Sequence, residues 1–207
     1  MSQCIISALK AEAEPLISFY NLEQNLDYDY PVYNRGDLTI ICTGVGRENV
    51  RKVLSDYYSR MLELKNSQFI NIGIAGGKKE ECKIGQCFVI EKVFDDKSDI
   101  VYSLNNVFES QNSSNHITTV SEPISDGGDK YHFLVDMEAH EICSVIGGLD
   151  HLNNLFIIKI ISDYMDVSKK YFNSKKVMDL IEINLLQIDT MLNELRNHQK
   201  RYSITIK

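Results

Sequence analysis

The chain has 207 residues, 22 basic and 29 acidic side chains, a formal charge of −7, 43% hydrophobic and 25% charged residues, the composition of one globular domain over 1–207 that can bury a real core. The 11 glycines and 3 prolines exclude collagen-like or low-complexity character. Apolar runs such as Leu155–Ile158 fall far short of the roughly 20 residues that cross a bilayer, so no membrane is expected as a partner. No basic stretch followed by an apolar one opens the chain as a secretion signal would, and the acidic balance disfavours nucleic acid as a partner.

Strand-like and helix-like stretches alternate, the pattern that builds an open or barrel-like α/β sheet. Gln3–Ala8 is a short apolar run, followed by Lys10–Tyr20 with helical character. Val32–Asn34 and Leu38–Thr43 read as strands around the turn Arg35-Gly36-Asp37. Gly44-Val45-Gly46 leads into a helix from about Glu48 to Leu64, with Val50, Val53, Leu54, Tyr57, Tyr58, Met61 and Leu64 on one face. Phe69–Ile74 is a buried-type strand ending in Ala75-Gly76-Gly77, and Ile84–Phe94 is a second long one. From Asp95 to His116 the composition turns polar, which predicts a long exposed loop. Ile117–Val120 and Phe133–Val135 are short strands, and Glu138–Ile146 is a helix that Gly147-Gly148 ends. Leu155–Ile161 is the most apolar strand. Roughly Ser168–His198 forms one long helix with Val177, Ile181, Leu185, Ile188, Leu192 and Leu195 in a stripe that packs on the sheet.

Cys4, Cys42 and Cys143 lie in apolar runs, as reduced buried cysteines do. With Cys82 and Cys87 they make an odd set without CxxC spacing, and the histidines form no HExxH. The expectation is a reduced, cytoplasmic protein with no metal and no cofactor.

In α/β sheets ligands bind beyond the carboxyl ends of strands, and four such ends collect chemistry here: Ser7-Ala8-Leu9-Lys10-Ala11-Glu12, Gly73-Ile74-Ala75-Gly76-Gly77, Asp136-Met137-Glu138-Ala139 and Ile161-Ser162-Asp163. Each has a plainer reading. Glu12 and Glu138 suit the first turn of a helix, Ser162-Asp163 suits an N-cap, and Gly76-Gly77 suits a turn. Gly44-Val45-Gly46 lacks the third glycine of a dinucleotide fingerprint.

Taken in order, Ser-Ala-Leu-Lys-Ala-Glu, Thr-Gly-Val-Gly, Asn-Ile-Gly-Ile-Ala-Gly-Gly, Lys-Ile-Gly-Gln, Val-Asp-Met-Glu-Ala and Ile-Ile-Ser-Asp resemble the nucleoside phosphorylase/nucleosidase superfamily. They are most similar to its 5′-methylthioadenosine/S-adenosylhomocysteine nucleosidase branch, over about Cys4 to Asp166. The resemblance implies a three-layer α/β/α fold with a central mixed, partly barrel-like sheet flanked by helices. It also implies cleavage of the N-glycosidic bond of a small purine nucleoside, of the 5′-methylthioadenosine type, by a homodimer in which the neighbouring chain completes the pocket.

By the same resemblance, Asp163 protonates or hydrogen-bonds purine N7, with its pKa raised by burial, and Ser162 orients it. Glu138 stays ionised and binds the ribose hydroxyls, Met137 packs on the sugar, and Glu12 activates the attacking water. The Ile74-Ala75-Gly76 backbone contacts substrate. Lys159 stands four residues before the aspartate, where the family often has Arg, keeping the charge without the planar fork.

Two departures bear on the reaction. Phosphorolytic relatives bring arginines to the first loop and to the position of Asn71; neither is present, and Ile74 replaces a family hydroxyl. Arg47 is the one remaining anion candidate, with a solvated helix start as its plainer reading, so water is the expected nucleophile. Val120–Ser125 replaces the family's base-stacking aromatic, and the stretch to Met137 is short, as in compact phosphorylase-type relatives. Tyr131, Phe133 or a tyrosine of the polar loop is then the candidate to stack on a base. A phosphorylase of the same fold, or a catalytically silent nucleoside-binding relative, is the alternative.

Overall fold

Period-two alternation splits the central strands between two cores, one on each face of a sheet. The computed structural model describes residues 2–61, 67–105, 107–108, 114–166 and 173–205. In β1 (Ser2–Ser7) Cys4 and Ile6 enter one core and Ile5 the other. Along the C-terminal strand Leu155–Asp163, Leu155, Ile157 and Ile161 face the first core, while Phe156, Ile158 and Ile160 face the second. Such strands read as continuous apolar runs because both faces are buried.

The elements follow in order. α1 (Lys10–Tyr20) precedes β2 (Glu23–Gln24), β3 (Val32–Arg35) and β4 (Leu38–Cys42). Next come α2 (Arg47–Ser59), β5 (Ser67–Gly76), β6 (Cys87–Asp95), β7 (Tyr102–Ser103), β8 (Ser114–Thr119) and β9 (Leu134–Asp136). α3 (Ala139–Gly148), the strand 155–163 as β10, α4 (Ser174–Glu182) and α5 (Leu185–Thr205) complete the chain. Helices α2 and α3 cover the first core, and α1, α4 and α5 the second.

The sheet runs β10-β6-β8-β9-β5-β1-β4-β3-β2, and β10 also pairs with β5. Strands β5, β10, β6, β8 and β9 therefore close into a ring, with β1 to β4 extending from β5, which is the mixed, partly barrel-like sheet between helices expected above. Parallel pairing of β4, β1, β5 and β10 brings their carboxyl ends to one edge, with Ser7 opposite Cys42 and Asp163 opposite Gly76.

Several sequence expectations are corrected. The long C-terminal helix is two helices, broken at Ile183–Asn184. Buried Asn184 donates its side-chain amide to Leu180 O at 2.8 Å and to Gly85 O at 3.0 Å, satisfying carbonyls where the chain turns. The apolar stripe still packs on the sheet through Ile181, Leu185, Ile188, Leu192 and Leu195, and Val177 is buried as well. The second long strand starts at Cys87, because Gly85 sits in a turn at φ +82°. The polar stretch 95–116 is not one loop: β7 pairs with β6, β8 begins at Ser114, and Leu104 and Phe108 are buried. Gly147 and Gly148 belong to the last turn of α3. Leu64, residues 106 and 109–113, and 168–172 lie outside the described residues. All five cysteines are buried and free, and no described helix is long and apolar enough to cross a membrane.

Candidate active site

The carboxyl ends of β1, β5, β8, β9 and β10 converge with the start of α3 on a cavity of about 550 Å³. Its polar lining is Glu12, Asp136, Glu138, Ser162 and Asp163. Its apolar lining includes Leu9, Val45, Ile74, Met137, Val120, Pro123, Ile124 and Val135, with the Ala75-Gly76 backbone between. Among the described residues no basic side chain lines it.

Glu12 does what a first-turn acid does and more. Its Oε2 accepts from the N-cap Leu9 N–H at 2.8 Å, while its Oε1 crosses to β5 and accepts from Ile74 N–H at 2.8 Å. Burial raises its pKa, against the Lys159 charge and these backbone N–H groups, which lower it. Gly73 makes room for this carboxylate, since a Cβ there would stand 2.7 Å from Oε1. Gly73→Ala should therefore break the Ile74 bond and destabilise the protein by about 2 kcal/mol. Urea unfolding checks this, and the penalty should shrink when Glu12 is changed to Ala, which removes the atoms a Cβ at 73 would meet.

Glu138 precedes α3, and its Oε1 accepts from Gly46 N–H at 2.7 Å. Asp136 accepts from Thr119 Oγ1 at 2.7 Å and from Ala139 N–H at 2.8 Å, and pairs with Lys159 Nζ at 2.9 Å. Lys159 is fully buried in β10 and lies behind the cavity lining. Burial works against its charge, but Asp136, Glu138 and Glu12 outweigh burial and raise its pKa. Three buried carboxyl groups thus share one buried cation. The Glu138 carboxyl gives up its proton less readily than an ordinary glutamate. Burial first, and then the Asp136 charge, push its carboxyl up to about 8, against Lys159 and the Gly46 N–H.

The raised pKa values of Glu138 and Glu12 fix a sign. A carboxyl that holds its proton more tightly when folded contributes stability that is fully present below its unfolded pKa and lost as pH rises through its folded one. The melting temperature should fall from about pH 5 to about pH 8, and Glu138→Gln should flatten that slope in a calorimetric series.

Ser162 and Asp163 are no N-cap. They end β10 at an irregularity in its pairing with β5, where Ile161 faces Ala75 and Asp163 faces Gly76, leaving Ser162 as the extra residue. Ser162 Oγ donates to Asp163 Oδ2 at 2.6 Å, and Met165 N–H donates to Oδ1 at 2.9 Å.

Arg47 is neither a free anion ligand nor a solvated side chain. Its guanidinium pairs with Asp95, with Asp96 at 3.0 Å, and with Thr119 O at 2.9 Å. Burial opposes ionisation of Asp95, but Arg47, Ser98 and His140 hold its carboxyl down at about 2. Tyr131 is buried against Val120, Val135 and Met165 behind the cavity wall, and Phe133 stacks edge-on to His116.

Of the residues singled out in the sequence, Glu12, Ile74, Ala75, Gly76, Met137, Glu138, Ser162 and Asp163 line one cavity, and Lys159 does not. Asp136 belongs to the acidic strand end noted in the sequence but was given no role of its own, and the Val120–Ser125 stretch, which the resemblance sets on the base side, supplies Val120, Pro123 and Ile124 to the wall.

No family model matches the chain, and no curated protein matches it. Solved structures do. The 5′-methylthioadenosine/S-adenosylhomocysteine nucleosidase of S. pneumoniae, with a transition-state inhibitor, superposes at a TM-score of 0.73 with 16% identity, covering 94% of this chain and 98% of that one. The Arabidopsis thaliana 5′-methylthioadenosine nucleosidase gives 0.75 at 17% identity, covering 95% of each chain. An Asp→Asn variant of the Helicobacter pylori enzyme, with 5′-methylthioadenosine in its active site, gives 0.76 at 11% identity, covering 93% of this chain and 98% of that one. The chain has the fold of these nucleosidases.

Proposed function

We propose that the protein is a purine nucleosidase that hydrolyses the N-glycosidic bond of an adenosine-type nucleoside, with 5′-methylthioadenosine-like compounds as first substrates. The observation that carries this reading is one cavity lined by Glu12, Glu138 and Asp163, with Ser162 on the aspartate and no basic side chain among its described lining residues. Breaking that bond builds positive charge on the ribose and negative charge on the base, and carboxyl groups serve both.

The bonding electrons leave with the base, and Asp163 delivers a proton or hydrogen bond to N7 while Ser162 holds its other oxygen. Glu12 takes a proton from water, whose oxygen bonds to the anomeric carbon. Its two oxygens are already fixed by Leu9 and Ile74, which aims the remaining lone pairs. Glu138 holds the ribose hydroxyls and, once ionised, offsets the ribosyl charge; Met137 covers the sugar. Lys159 supports both glutamates from behind through its charge. A homodimer in a cytoplasmic setting belongs to the same reading.

Water rather than phosphate is supported by where the cations are. Arg47 is held by two aspartates and Lys159 by Asp136. The test is release of free adenine from several adenosine derivatives with and without phosphate. Equal rates and no ribose 1-phosphate are expected; strict phosphate dependence, or no release from any derivative, would overturn the reading.

A further inference from the structure

We propose that Met165 is a positioning residue that fastens the acid Asp163 to the 121–131 segment of the cavity wall. The role of Asp163 rests on the nucleosidase reading; the clasp itself does not.

Three contacts meet at this residue. Its N–H donates to Asp163 Oδ1 at 2.9 Å, and its carbonyl accepts from Gly127 N–H at 3.0 Å. Its side chain, 1% exposed, fills the space over Gly128, where a Cβ would come within 2.1 Å of Sδ. The backbone of Met165 is left-handed, at φ +58°. That conformation is costly for a residue with a side chain and persists only where the surroundings hold it. Here it turns the N–H to the acid and the carbonyl to the wall. Gly127 and Gly128 are themselves at φ +88° and +64°, so the wall bends back toward Met165.

Gly76 completes the fit from below. A Cβ there would stand 3.0 Å from Met165 Cγ and 3.2 Å from Asp163 Oδ1. With Ser162 on Oδ2 and Met165 on Oδ1, both oxygens of Asp163 are fixed. The same residue fixes the segment that carries Pro123 and Ile124 into the cavity. A ligand seated against that wall is thereby registered against the acid.

The test is a double-mutant cycle of Gly128→Ala with Asp163→Asn, read together with amide exchange. Alone, Gly128→Ala should lower kcat for adenine release about tenfold with KM within about twofold, and in the Asp163→Asn background it should cost less than about twofold. Equal costs in both backgrounds, or none in either, would overturn the proposal. Where the residual rate of Asp163→Asn is too slow to measure, the cycle is read on adenine affinity. Amide exchange at Met165 and Gly127 should be slow in the parent and fast in Gly128→Ala, with β1 and β5 unchanged. Fast exchange in the parent would also overturn it. If the parent cleaves no nucleoside but those amides are protected, the nucleosidase reading falls and the clasp stands. If Gly128→Ala does not fold, Met165→Gly, which keeps the left-handed backbone and removes the side chain, should give the same losses.

Discussion

Asp163→Asn should cut the rate of base release by about 10²- to 10⁴-fold while leaving nucleoside affinity within severalfold. An asparagine keeps the size of the side chain and the oxygen that accepts the Met165 N–H, and Ser162 can turn its hydroxyl to accept from the new amide. The fold and the cavity are thus preserved while the transferable proton is lost. Steady-state rates and a melting curve separate the two effects: a slow enzyme with an unchanged melting temperature is the expected pair. An Asp163→Asn protein as fast as its parent would remove the acid from the mechanism.

Lys159→Met should have the largest effect on stability. Among the described residues its ammonium is the one cation near Asp136, Glu138 and Glu12 in the buried cluster, and its 2.9 Å pair with Asp136 is closed to solvent. Removing one partner of a buried pair costs about 3–5 kcal/mol, which for a chain of this size lowers the melting temperature by roughly 10 °C. The loss should be greater at pH 7 than at pH 5, because acid lets the stranded carboxyls take protons. The double variant Lys159→Met/Asp136→Asn should recover most of it. Base release should fall as well, since the Lys159 charge lowers the pKa of both glutamates.

Much of the fold was legible because its strands are buried on both faces. The runs at 3–8, 38–43 and 155–161 could hardly be anything else, and Lys10–Tyr20 is the helix expected. What escaped depended on partners distant in sequence. The break at Asn184 is set by the carbonyl of Gly85, 99 residues away, together with that of Leu180. The start of β8 at Ser114 depends on its pairing with β6. Arg47 looked free because Asp95 and Asp96 lie 48 and 49 residues further on. For the site, the carboxylates were legible from their motifs and strand-end positions. The raised pKa of Glu138 was not, because it follows from burial and from neighbours on other strands.

The ring of β5, β10, β6, β8 and β9 also orders events in time. Its last strand to leave the ribosome, β10, sits between β5 and β6, which precede it by many tens of residues. Contacts so distant in sequence form late in folding. Until β10 slots in, β5 and β6 have an open edge each, and Lys159 has yet to meet Asp136. A nascent chain therefore carries an unfinished seam and an incomplete cavity until residues 155–163 close the circle and bring Ser162 and Asp163 to the lining that holds Glu12 and Glu138.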